Sequence, residues 1–277
     1  MLMIIGIDIG GTKTTIGLSH NGEHLDDAIT IATPHNQRKV VETLQYEIRK
    51  LAGSNGVDAM ALCAPAPIDK RRGMILSPHN IPWHNLRLCS PLQKAFKCPV
   101  IIEHDATAGG IAEARFGAGK PYSLFCYVTI STGIGGVIMH NNSPLPTPHN
   151  AEFGAQIVES EHVGMGKLSG SYEHLASGRA IERDFGARAA EIHNRHEWQI
   201  IARRFSYGLY NISQIVAPEA IILGGGVSVH YKRFARSLQK ELARFGPLYP
   251  LPKILPAKHV ETAPLLGTVY LAAQQLG

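Results

Sequence analysis

The chain has 277 residues, 44% of them hydrophobic and 18% charged, which excludes a disordered segment and allows one large or two modest cores. A net charge of +5 is compatible with nucleic acid, but the basic residues are scattered; the densest clusters, Lys70-Arg71-Arg72, Arg203-Arg204 and Lys232-Arg233, form no stripe. Mild positive charge without a stripe suits phosphorylated small molecules and points away from DNA or RNA.

The apolar start Met3 to Ile7 has no basic flank and runs straight into Asp8-Ile9-Gly10-Gly11-Thr12-Lys13, so it reads as a core strand and not as a signal peptide. No apolar run is long enough for a membrane helix. Cys63, Cys89, Cys98 and Cys126 form no CxxC pair, and Cys63 and Cys126 sit in strand-like apolar runs as buried thiols. A cytoplasmic location is the simplest expectation.

After the first strand and its glycine turn, Thr14 to Ser19 is a return strand, Asn21-Gly22 is a hairpin signal, and a third strand is predicted over Leu25 to Ile31. Val40, Val41, Leu44, Ile48 and Leu51 have helical spacing. Val57 to Cys63 is a strand, Val100 to Glu103 a short strand, and Ala106 to Phe116 a small-residue helix. The pattern then starts again. Leu124 to Ile130 is a strand, Ser131-Thr132-Gly133-Ile134-Gly135-Gly136 a glycine turn, and Val137 to His140 the return. Glu197 to Val216 is a long helix stopped by Pro218, and Ala220 to Leu223 is a strand ending on Gly224-Gly225-Gly226. Val229 to Phe245 reads as a helix, the Pro-rich stretch Pro247 to Pro256 as an edge strand at most, and Thr262 to Leu276 as a terminal helix that packs back on the first half. A repeat of strand, glycine turn, strand implies two related α/β lobes.

Three glycine clusters follow apolar strands. Glycine turns bring backbone N–H groups close to phosphate oxygens. None matches GxxxxGK[ST], and none opens a helix as GxGxxG, so neither a P-loop nor a dinucleotide fold is expected. Asp8 at a strand end is placed to hold hydrated Mg²⁺, and Thr12 and Lys13 to engage phosphate. Asp105 stands where a strand gives way to a helix. That position fits a carboxylate reaching into a site, and it equally fits an ordinary helix N-cap.

In this order the motifs resemble the ROK sugar kinases of the actin–hexokinase superfamily, over nearly the whole chain. Asp8–Lys13 is similar to the first phosphate motif. Ser77-Pro78-His79-Asn80-Ile81-Pro82-Trp83 is similar to the sugar-contacting segment, and Glu103-His104-Asp105-Ala106-Thr107-Ala108 to the segment with the catalytic aspartate. Ser131–Gly136 is similar to the second phosphate motif. Ala151-Glu152-Phe153-Gly154 and Tyr172-Glu173-His174 resemble two sugar-side segments, and Leu223–Val227 the adenosine motif. The resemblance implies an α/β fold of two duplicated ribonuclease-H-like lobes with a cleft between them, residues 1–116 plus 263–277 and residues 117–262. It implies ATP and Mg²⁺ as cofactors, a homodimer, and Asp105 as general base. Asp8, Gly10, Gly11, Thr12, Lys13, Thr132, Gly133, Gly135, Gly224, Gly225 and Gly226 are the implied nucleotide residues, and Asn80, His104, Glu152 and Glu173 the implied sugar residues.

Several family residues are replaced. The asparagine before the catalytic aspartate is His104, and the one two places after it is Thr107. The Gly-x-Pro-Gly loop stands as Cys63-Ala64-Pro65-Ala66-Pro67. The histidine expected three residues after Glu152 is Ala155, and the cysteine-rich zinc segment is replaced by Glu161–Lys167. No structural zinc is expected, and the sugar is left open among hexoses and N-acetylhexosamines. Two other readings stay open. One is a sugar or nucleotide sensor of weak activity. The other is a DNA-binding repressor, disfavoured because the chain starts at the first phosphate strand.

Overall fold

The computed structural model describes residues 1–78, 81–163 and 169–277. The chain divides into two compact units, Met1–Ala112 with Thr262–Gly277, and Glu113–Glu261.

In the first unit β1 (Ile4–Ile9), β2 (Lys13–Ser19) and β3 (Asp27–Ala32) form an antiparallel meander. Helix α1 (Gln37–Ala52) leads into β4 (Ala59–Ala64), which is parallel to β1. A small antiparallel sheet of β5 (Ile68–Asp69), β6 (Met74–Ile75) and β7 (Leu86–Arg87) follows. Then come α2 (Cys89–Phe96), β8 (Val100–His104), parallel to β4, and α3 (Asp105–Phe116). The main sheet has the order β3-β2-β1-β4-β8.

The second unit repeats that order. Strands β9 (Leu124–Ile130), β10 (Ile134–His140) and β11 (Ser143–Pro144) form the meander. Helices α4 (Tyr172–Ala176), α5 (Gly178–Phe185) and α6 (Arg195–Val216) precede β12 (Ala220–Gly224), parallel to β9. Helix α7 (Tyr231–Arg244) and β13 (Lys253–Pro256), parallel to β12, complete the order β11-β10-β9-β12-β13. The last helix, α8 (Ala263–Ala273), belongs to the first unit and packs on β1 and β4.

Periodicity explains the packing. Val40, Leu44, Ile48 and Ala52 make one stripe on α1 and share a core with Ile5, Ile7 and Ile9, which a period of two puts on one face of β1. Asn36 caps that helix through the Arg38 amide. In the second unit Trp198, Phe205 and Leu209 of α6 meet Phe234 of α7; the Phe205 and Phe234 rings pack edge-on at 5.1 Å.

Some predicted elements shift. Asn21-Gly22 is not a two-residue turn, because Leu18 pairs with Asp27 and leaves a longer loop. Polar side chains organise that loop: Asp26 accepts from the His20 amide at 2.7 Å, and the Ser19 hydroxyl from the Gly22 amide at 2.9 Å. The helix predicted over Val229 to Phe245 begins as a 3₁₀ turn, Ser228–His230. The β5–β7 sheet, α2, α4 and α5 had no matching expectation; their short lengths give too few residues for a periodic signal. All four cysteines are buried and free, and burial pushes the Cys126 thiol up to about 12. Among the described residues no helix is long and apolar enough to cross a membrane.

Candidate functional site

The first unit gathers charge at the ends of β1, β4 and β8. The strand register lines up Asp8, Cys63 and Glu103 across these three strands. Side chains in one row of a parallel sheet share a face, so residues far apart in the chain become neighbours. The Cys63 thiol donates to Asp8 Oδ1 at 3.2 Å. Burial, and then the nearby charge of Asp105, push the Asp8 carboxyl up to about 6, against the thiol's opposing effect. Cys63 is itself pushed well above the usual thiol range, first by burial and then by Asp8, so it stays a thiol.

Asp105 is the first residue of α3, directly after β8. Its Oδ1 accepts from the Ala106 amide at 2.6 Å and lies 3.1 Å from His104 Nε2. His104 is buried, at 3% exposure. Glu103 Oε1 accepts from the His104 amide at 2.8 Å and pairs with Lys70 Nζ at 2.5 Å, which ties the β5–β6 hairpin to the end of β8.

The first glycine turn is fixed by its neighbours. The Gly10 amide donates to the Lys13 carbonyl at 2.9 Å, and Thr33 holds the turn from the side, donating its hydroxyl to the Gly10 carbonyl at 2.7 Å and its amide to the Thr12 carbonyl at 3.0 Å. Thr12 and Lys13 are exposed at the tip, beside Gly11. Asn80 lies outside the described residues. The segment after it is well anchored: Trp83 is fully buried and donates to the Pro34 carbonyl at 3.0 Å, and the Gln37 amide takes both the N–H and the carbonyl of His84, at 2.8 and 2.9 Å.

The second unit brings its two glycine turns together. Glu173 Oε2 accepts from the Ile134 amide at 2.7 Å, in the place where a side chain on Gly133 would stand. The start of α5 closes on the same turn, the Gly178 amide donating to the Ser131 carbonyl at 2.7 Å and the Arg179 amide to the Thr132 carbonyl at 3.3 Å. The third turn docks beside it. The Val227 amide donates to the Ile130 carbonyl at 3.0 Å, and Gly225 takes φ 84°, where a Cβ would stand 2.6 Å from that carbonyl oxygen. Glu152 is exposed just before the Phe153–Ala155 turn, whose Gly154 sits against Glu173.

The residues singled out from the sequence therefore assort into two groups. Asp8, Gly10–Lys13, His104 and Asp105 lie in the first unit, and Thr132, Gly133, Gly135, Glu152, Glu173 and Gly224–Gly226 in the second. Reasoning from sequence missed Cys63 as the donor to Asp8, as well as Thr33, Lys70, Gln37 and the amides of Gly178 and Arg179. Each acts on a site residue distant in the chain or through its backbone, and neither leaves a local motif. Among the described residues no group of three or more His, Cys, Asp or Glu is arranged to hold a metal ion. Hydrated Mg²⁺ is less demanding, since it is held by one or two carboxylates together with substrate phosphates and water. Asp8, a partly buried carboxyl facing a second carboxylate, fits that requirement.

Known proteins resemble the chain along its length. The glucokinase of Streptomyces coelicolor is 25% identical over 99% of this chain and 98% of its own. The fructokinase of Zymomonas mobilis is 28% identical over 88% of this chain and 85% of its own. The crystal structure of a ROK family glucokinase from Streptomyces griseus, in complex with glucose and AMPPNP, superposes with a TM-score of 0.86 at 27% identity, covering 98% of this chain and 99% of that one. The family profile matches residues 4–275, and the chain belongs to the ROK family.

Proposed function

We propose that the protein is an ATP-dependent sugar kinase that phosphorylates a hexose or N-acetylhexosamine at its 6-hydroxyl, with Asp105 as the general base. The observation that carries this reading is the pairing of Asp8 and Asp105 at the ends of neighbouring strands, two carboxylates whose mutual charge raises Asp8. A structural role would not call for like charges in a partly desolvated place. The glucokinase and fructokinase relatives, and the AMPPNP and glucose held by the Streptomyces griseus enzyme, support the same chemistry.

Asp105 accepts the proton of the sugar hydroxyl as its oxygen bonds to the γ-phosphorus and the bond to ADP breaks. Mg²⁺, held through Asp8, would neutralise charge on the phosphates. Gly10, Gly11, Thr12 and Lys13, with Thr132, Gly133 and Gly135, offer amides and polar side chains to phosphate, and Gly224–Gly226 gives room for the nucleoside. Asn80, Glu152 and Glu173 are the proposed contacts to sugar hydroxyls, Glu173 through the oxygen that Ile134 does not take. A homodimer and a cytoplasmic location complete the proposal.

The test is a coupled ADP-release assay with Mg-ATP over glucose, fructose, mannose and their N-acetylhexosamine counterparts. Turnover on at least one sugar is expected, with Asp105→Asn lowering kcat by about 10²–10⁴-fold. ATP binding without turnover on any sugar would favour the sensor, and full turnover in Asp105→Asn would remove the base.

A further inference from the structure

His104 stands where the family resemblance expects asparagine, and its imidazole is the one side-chain donor on Asp105 that the structure prints. Both contacts to this carboxylate fall on the same oxygen. The Ala106 amide meets Oδ1 at 2.6 Å, and His104 Nε2 lies 3.1 Å from it. A carboxylate oxygen only accepts, so Nε2 carries the hydrogen and Nδ1 is left as the acceptor. Nδ1 is buried and has no partner. A histidine kept only for packing would have that nitrogen satisfied or would be replaced by an apolar residue.

We infer that His104 is a positioning residue for the kinase reaction: it pins Asp105 through Oδ1, so that Oδ2 is the atom that takes the proton from the sugar hydroxyl. This rests on the reading of Asp105 as the base. Two donors on Oδ1 stop the carboxyl from turning about its last torsion, which is otherwise broad and two-fold. The backbone amide alone leaves rotation about that hydrogen bond; the second donor, from a ring held by its own burial, removes it. Glu103 and Lys70 support the arrangement from behind, since Glu103 Oε1 holds the His104 amide. Asparagine at this position is too short to give the same contact, because its amide nitrogen stands where Nδ1 stands on the ring.

The experiment compares His104→Leu, His104→Gln and Asp105→Asn in the coupled assay, alongside thermal melts and the ¹⁵N spectrum of the His104 ring. Leu removes the donor and keeps the bulk, and it is expected to lower kcat about ten- to a hundredfold with a change in sugar KM of less than about threefold. Its melting temperature stays the same or rises, because the unpartnered Nδ1 is gone. Gln, whose amide nitrogen matches Nε2, is expected to recover kcat to within about threefold of the parent protein. The spectrum is expected to show Nε2 protonated, a readout that needs no turnover.

An unchanged kcat in His104→Leu overturns the inference. So does a rise in sugar KM at constant kcat, which would make His104 a sugar contact, or a kcat loss that tracks a lower melting temperature in both variants. An Nδ1-protonated ring overturns it as well. Full turnover in Asp105→Asn removes the base itself. An inactive Asp105→Asn beside a fully active His104→Leu sinks only the role of His104.

Discussion

The two units use one strand order for different work, and the contrast is sharpest at a single row of each sheet. In the first unit Asp8 of β1 pairs with Cys63 of β4; in the second, the matching positions are Thr129 of β9 and Gly224 of β12. One scaffold position thus carries a carboxyl and a thiol in one copy, and a hydroxyl and no side chain in the other. The supports differ in the same way. Thr33 holds the first glycine turn from the side, whereas the second is held by the Glu173 carboxylate and the first amides of α5. Charge that handles protons and metal suits the first unit, and backbone room for a bulky ligand suits the second. The duplicated architecture sets where a site stands, and a few substitutions in one row set which chemistry it does.

The largest effect that would break this comparison is expected at Asp8. Asp8→Asn removes a desolvated carboxyl facing Asp105, so the unliganded protein at neutral pH should gain about 2–3 kcal/mol, as the displacement of its pKa to about 6 implies. In the coupled assay kcat should fall about a hundredfold. Calorimetry and kinetics on one preparation check both. Loss of stability together with activity would make Asp8 a structural residue and erase the contrast.

In the second unit, glycines one residue apart should behave differently. Gly225→Ala places a methyl group at a positive φ and against the Ile130 carbonyl, and it should lower stability by about 1–3 kcal/mol. Gly226→Ala meets nothing within 4 Å, so its melting temperature should hold. If that space belongs to the nucleoside, the ATP KM should rise about three- to tenfold. Unchanged ATP kinetics in Gly226→Ala would move the nucleotide away from this turn.

The smallest expected effect lies on α5, whose start holds the second turn. Asp184 bonds Arg183 and Arg204, which hold its carboxyl below the usual carboxylate range. A depressed pKa in the folded chain contributes stability above the unfolded value of about 3.9, lost as pH falls through the folded one. Asp184→Asn should therefore lower the melting temperature at pH 7 by an amount worth no more than about 1 kcal/mol, and the two proteins should converge in acid. A difference that persists at low pH would assign the effect to packing instead.

Much of this was legible before any coordinates. The glycine turns after β1, β9 and β12 announce themselves by composition, because only glycine lets the chain bend at once behind an apolar strand. Leu124 to Ile130 is an uninterrupted apolar run bounded by turn residues, and the strand has those bounds. Asp105 showed only that it stands between a strand and a helix, which left a cap and a base equally open. The hairpin at Asn21-Gly22 misled because a strong local turn signal lost to side-chain hydrogen bonds from Ser19 and Asp26.

The sequence by itself determined the duplicated α/β pattern, the family and the positions of the phosphate turns, since each rests on residues close together in the chain. Only the tertiary structure decided that Cys63 donates to Asp8, that His104 and Ala106 meet on one oxygen of Asp105, and that Glu173 stands behind Gly133. Those relations depend on register between strands and on helices docked from far along the chain. Periodicity within a segment carries no record of which distant residue will lie beside it.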